Sequence, residues 1–256
     1  MPSYGEYLKL PELLSLQHPG NEHDELLFII IHQCYELWFK QVLHEIDYLQ
    51  QLLGNDDLPR ANHTIKRVLT ILKMLVAKVD ILETMTPLEF LGFRDRLESG
   101  SGFQSAQFRE FEFALGYKRP AILEYFLPGS PERLRLQRRL ETKSVWDAFL
   151  QFLASRQFQV PEECLQRNPT LATQPSPGLR PVLLKIYRTD PPIAEFCERL
   201  VDLDEGLQEW RYRHVQMVER TIGSKHGTGG SSGADYLRTT LLRPVFPDLW
   251  DIRAEF

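Results

Sequence analysis

Apolar residues recur along this chain at intervals of three and four, and alternation with a period of two is nearly absent, which predicts helices and few or no strands. The first strong segment covers residues 21–53. Glu22, Asp24 and Glu25 gather near its start, where a helix dipole favours negative charge, and Gly54 and Asn55 close it. Within it Leu26, Leu27, Phe28, Ile29, Ile30 and Ile31 follow without a break, a pattern that predicts burial on every side. A second helix is predicted over 61–83, with Ile65, Val68, Leu69, Leu72 and Leu75 along one stripe. Thr86 as N-cap, Pro87 in the first turn and Glu89 behind it start a short third helix. Serine and glycine interrupt the pattern over 98–102. It resumes over 105–115, with shorter helices predicted over 120–126, 131–140 and 144–154. Four prolines between Arg167 and Pro181 mark a loop. A last long helix is expected over 192–222, then a Gly/Ser-rich stretch over 224–233 and a short helix over 234–242. No segment repeats at a fixed period. The expectation is an all-α chain, residues 1–256 forming a single helical domain.

Composition narrows the picture. With 256 residues, 43% hydrophobic and 25% charged, the chain can bury a full core. A net charge of -5 argues against nucleic acid as partner. Arg133, Arg135, Arg138 and Arg139 do cluster, but they interleave with Leu134, Leu136 and Leu140, as on a solvated helix face. The longest apolar run, Leu26–Ile31, falls far short of the roughly 20 residues that cross a bilayer. Residues 1–10 hold no apolar leader core and include Glu6. No membrane partner and a cytoplasmic location are expected. Cys34, Cys164 and Cys197 are widely spaced with no CxxC, against a disulfide framework or a cysteine zinc site.

Two histidines carry candidate chemistry. Leu203, Leu207, Trp210, His214, Met217 and Thr221 share a face of the last long helix, so His214 sits within an apolar stripe. Such a histidine is either a hydrogen-bonded core residue or an axial ligand to haem iron, and periodicity does not choose between them. Phe28, His32, Tyr35 and Phe39 share a face of the first helix and leave His32 with the same two readings. Phe90 and Arg94 project together from the third helix; an arginine there is a stacked rim residue or a fork for a carboxylate. His226 to Gly233 carries four glycines in eight residues, which suits either a linker or an anion-binding nest. It is neither a Walker loop nor a Rossmann fingerprint, and no zinc-protease, hydrolase-elbow or covalent-haem motif occurs.

The sequence resembles the tryptophan 2,3-dioxygenase family over nearly its whole length. The resemblance rests on Tyr4 to Leu8; on His23 to Gln33 with Glu36 to Lys40; on Phe90 to Asp95; on Ser99 to Ser105; on Trp210 to His214; and on Gly227 to Gly233. It implies a cytosolic, haem b-dependent homotetramer that adds both atoms of O2 to L-tryptophan and yields N-formyl-L-kynurenine. By position, His214 is then the axial ligand of the haem iron, and His32 is the catalytic histidine on the distal side, placed to meet the indole N–H. Phe28, Ile29, Ile30, Ile31, Phe90 and Ser101 line the substrate pocket. Arg94 pairs with the substrate carboxylate, and Thr228 contacts the amino-acid end from a mobile loop over 224–233. Tyr4, Tyr7 and Leu8, within an N-terminal segment of residues 1–20, reach a neighbouring subunit's site. Some members carry Tyr where this chain has Phe90, so a hydroxyl contact is absent there. The segment before His23 is also a few residues short. The competing readings are a related haem enzyme acting on another indole, and a haem- or indole-binding protein without turnover; the latter needs neither Arg94 nor Thr228.

Overall fold

The computed structural model describes residues 1–97, 104–223, 225 and 234–256. Ser101, and the glycine stretch with Thr228, lie outside the described residues. No strand occurs among those described. Two short helices, α1 (Tyr4–Leu8) and α2 (Leu10–Leu13), precede the long α3 (Glu25–Gly54) and α4 (Leu58–Leu82). Then follow α5 (Pro87–Arg94), α6 (Ala106–Leu115), α7 (Pro131–Glu141), α8 (Val145–Ser155) and α9 (Glu162–Leu165). The series ends with α10 (Arg180–Thr189), α11 (Pro191–Ile222), α12 (Ala234–Arg238) and α13 (Pro247–Asp251).

The central layer is α4, packed between α3 and α11. Leu58, Ala61, Ile65, Val68, Leu72, Leu75, Val79 and Leu82 alternate three- and four-residue steps along it and are all buried, so one stripe serves the whole length of the helix. Against α11 the approach is closest at Gly206, where a Cβ would stand 3.0 Å from Leu72 Cδ2. On the other side of α3 lie α6 and α8, and their aromatic residues (Phe111, Trp146, Phe149, Phe152) fill the core with Phe196 of α11. No described helix is long and apolar enough to cross a membrane.

Most predicted elements form where expected. The third helix opens with a capping box, Thr86 accepting from the Glu89 N–H while Glu89 accepts from the Thr86 N–H. Four differences stand out. Residues 120–125 wind as a 3-10 turn, and α10 begins inside the proline-rich stretch read as loop, its Pro181 sitting harmlessly in the first turn. The apolar run at the start of α3 is not buried on every side: Leu26 and Ile30 are 40% and 43% exposed, because this end of α3 borders the site instead of the bundle core. The α7 arginines are not a plainly solvated face either. Arg139 holds Asp47 with two hydrogen bonds and Arg135 pairs with Glu110, lining a polar cleft of about 280 Å³.

Candidate haem and indole site

The aromatic stripes of α3 and α11 converge on one floor. Phe39 of α3, Trp210 of α11 and Phe108 of α6 pack together, with Phe108 and Trp210 centroids 4.4 Å apart and Phe39 edge-on to Trp210 at 6.3 Å. One turn beyond Trp210 on α11 stands His214, its ring stacked on the indole at 5.0 Å. Two turns before Phe39 on α3 stands His32. Burial pushes the pKa of both imidazoles down, and each is close enough for His32 to depress His214 further. Two histidines from different helices thus stand near enough for one to act on the other.

Their environments differ in a way that separates their roles. The His32 Nδ1 lies 2.7 Å from the Phe28 carbonyl of the preceding turn and donates to it, so Nε2 is left to meet a ligand. No described residue hydrogen-bonds the His214 ring. Burial first, then the positive charge of Arg109, brings its pKa down to about 4, so it is a neutral imidazole with a lone pair to give. The residue is nonetheless only part-buried.

The side wall is a smaller apolar cluster. Ile31, Leu82, Met85 and Phe93 form its buried part, with Phe28, Phe90, Leu97 and Met217 packed against it. Phe28 touches His32 at 4.0 Å and lies 5.9 Å from Phe90 and 5.4 Å from Phe93. Arg94 follows directly on Phe93 at the end of α5 and is part-buried. The fold therefore gathers Phe28, Ile31, His32, Phe90 and His214, with Arg94 at the edge. Ile29 and Ile30 are not part of that cluster, and Ile30 faces outward. Tyr4, Tyr7 and Leu8 lie on α1, which has no buried residue.

The far side of the floor holds a charged hub that the sequence did not single out. Glu112 of α6, 1% exposed, accepts from Arg109 Nη1 at 2.8 Å, from Arg211 Nη2 at 3.0 Å and from Arg119. The ring of Tyr117 lies between the guanidiniums of Arg119 and Arg211, at 4.6 and 4.7 Å. Arg119 Nη1 donates to the Tyr236 hydroxyl at 2.5 Å, and Arg211 Nη1 donates to the carbonyls of Thr240 and Arg243. Glu112 thus ties three guanidiniums together, with Arg109 near enough to His214 to act on its charge. The Trp210 Nε1–H is buried with no hydrogen-bond partner among the described residues. Leaving such a donor unpaired costs about 1–3 kcal/mol, so it marks a place for an acceptor from outside the chain. A neutral histidine, flat aromatic walls, an orphaned donor and a nearby guanidinium fit a porphyrin with two carboxylates. Spacing signals none of the hub, since Glu112 and Arg211 stand 99 residues apart.

Comparisons with known proteins give the chain's family. A family model described as tryptophan 2,3-dioxygenase matches residues 2–128 and 136–256. A tryptophan 2,3-dioxygenase of Herpetosiphon aurantiacus is 59% identical, covering 99% of this chain and 98% of its own. Proteins of the same name from Anaeromyxobacter sp. strain K and Caulobacter vibrioides are 55% and 42% identical, over 98% and 99% of this chain and 95% and 98% of theirs.

Proposed function

The chain belongs to the tryptophan 2,3-dioxygenase family, and from that premise we propose that the space between His32 and His214 is where it holds haem and the indole ring. The enzyme is an oxidoreductase that cleaves the indole C2–C3 bond of L-tryptophan with O2, giving N-formyl-L-kynurenine. The family is haem-dependent. In this chain the group is haem b, one per subunit, bound without covalent attachment. The haem supplies O2 binding and activation; the residues around it bind, orient and exclude water.

His214 would hold the haem iron. Its support is the neutral ring, with no hydrogen bond from the described residues, on the apolar stripe of α11. Trp210 Nε1–H and the Arg109 guanidinium would meet the haem carboxylates, which would satisfy the buried donor. On the opposite side His32 uses Nε2 to accept from the indole N–H, because Nδ1 is committed to the Phe28 carbonyl. Phe28 and Phe90 press on the indole ring, with Ile31 behind them; the family resemblance adds Ser101 to the lining. Arg94 takes the substrate carboxylate as a charge-assisted pair, and Thr228 takes the amino-acid end. Clamping the zwitterion at one end and the ring N–H at the other fixes C2 and C3 where the reaction occurs.

The same reading includes a homotetramer. Tyr4 and Tyr7 are 76% and 77% exposed and share the N-terminal arm with exposed Leu8, Leu14 and Leu16, an apolar surface that a second copy of the chain would cover. Residues 1–256 act as one domain. The three free cysteines support a reducing, cytoplasmic setting.

The observation that carries this reading is the neutral His214, without a hydrogen bond from any described residue, stacked on Trp210 and within electrostatic reach of His32. The test is haemin titration of the purified chain and of His214→Ala, read by the Soret band, followed by assay for N-formylkynurenine. A stoichiometric complex that turns over L-tryptophan, lost in His214→Ala, is the expected result. An unchanged Soret band and full haem content in the variant would overturn the axial assignment.

A further inference from the structure

Arg94 is carried by an eight-residue helix, too short to hold its own place, so its position depends on what α5 is fastened to. The fastening is to the chain entering α3, along two close contacts at glycines, one on each side. A Cβ on Gly92 of α5 would stand 3.1 Å from Glu22 Oε2. A Cβ on Gly20 would occupy the place of the Arg96 guanidinium. Glu25 joins the two sides. Buried at the first turn of α3, it accepts from the Gly20 N–H at 2.6 Å through Oε2 and pairs with Arg96 Nε at 3.3 Å through Oε1. One carboxylate thus fixes the backbone of one segment and the side chain of the other.

Sequence distance makes this contact consequential. Glu25 lies less than one turn before Phe28 on α3, and Arg96 lies two residues after Arg94. The rings of Phe28, Phe90 and Phe93 already join the two segments, but apolar contacts are non-directional and tolerate sliding. A buried carboxylate with one acceptor oxygen on each side does not.

We propose that Gly20, Glu25 and Arg96 form a latch that sets Arg94 relative to Phe28 and His32, and thereby makes the enzyme select an indole bearing a carboxylate over an indole amine with the same ring. They are positioning residues. The proposal rests on the reading of Arg94 as the carboxylate partner, because a fork that must meet two oxygens loses its advantage when displaced by a fraction of an ångström.

The test uses the haem-loaded full chain and two variants that open the latch from opposite sides. Gly20→Ala pushes aside the flexible end of Arg96, and Arg96→Met removes its charge while keeping most of the stem. Dissociation constants for L-tryptophan and for tryptamine are read from the Soret shift of the ferric enzyme, alongside kcat and KM for L-tryptophan. Both variants should bind L-tryptophan about three- to tenfold more weakly, with KM rising in step, and leave tryptamine affinity, haem content and kcat as they were. Equal weakening of both ligands, unchanged tryptophan binding, or loss of haem overturns the latch. Arg94→Ala, measured in parallel, keeps the two levels apart. If it leaves the tryptophan-to-tryptamine ratio unchanged, the carboxylate reading itself fails. If it lowers the ratio while the latch variants do not, only the latch fails.

Discussion

Replacing Glu112 by glutamine changes no volume and removes one charge, which makes it a direct probe of the hub beneath the site. Burial by itself would raise the Glu112 pKa, but the charges of Arg109, Arg119 and Arg211 outweigh it and hold the carboxyl at about 2 instead of 4.5. At about 1.36 kcal/mol per pH unit, that fall corresponds to about 3 kcal/mol of folding stability. A folded-state pKa below the unfolded one means this contribution is complete above pH 4.5 and is lost as the pH falls from there towards 2. The cost of breaking a buried ion pair, about 3–5 kcal/mol, gives the same scale independently. In the variant the amide also turns a donor towards guanidiniums that can only donate. For a chain of this size the loss translates into a melting temperature lower by about 6–12 °C at pH 7. Calorimetry of both proteins at pH 7 and again near pH 4 tests this, with the gap narrowing at the lower pH. A variant that melts within about 2 °C of the parent at pH 7, or a gap that widens on acidification, refutes the charge argument.

Asp248 offers the opposite sign: burial pushes it up to about 6 although the Ser176 N–H donates to it at 2.7 Å. A raised acid pKa costs stability above pH 6 and nothing below 3.8, so Asp248→Asn should raise the melting temperature at pH 7.5 and lose that gain near pH 4; a variant less stable at pH 7.5 counts against it. His32→Ala removes one hydrogen bond to the indole and should lower kcat/KM for L-tryptophan about three- to tenfold while haem content stays full. Loss of haem in that variant would mean that the two faces of the site have been exchanged.

Repetition along the chain was enough to locate the three long helices, because each buries a stripe whose period is that of the helix itself. It was enough, too, for the start of α5, where Thr86, Pro87 and Glu89 interact only with their own turn. The placement of His214 and His32 on apolar faces was equally legible, and family resemblance supplied the roles that periodicity left open. α10 escaped because its first turn lies within the proline-rich stretch, where loop and helix start share the same residues.

What tertiary structure alone decided is which faces meet. Leu26 and Ile30 read as core, yet α3 reaches past the bundle at that end and leaves them outward. Glu112, Arg119, Arg211 and Tyr236 carry no local signal, since three helices and a turn must pack before their charges meet. The same holds for Gly20, Glu25 and Arg96. Local sequence governs hydrogen bonds within a turn and the period of a buried stripe; charge pairing across helices depends on distances that exist only once the chain has closed on itself.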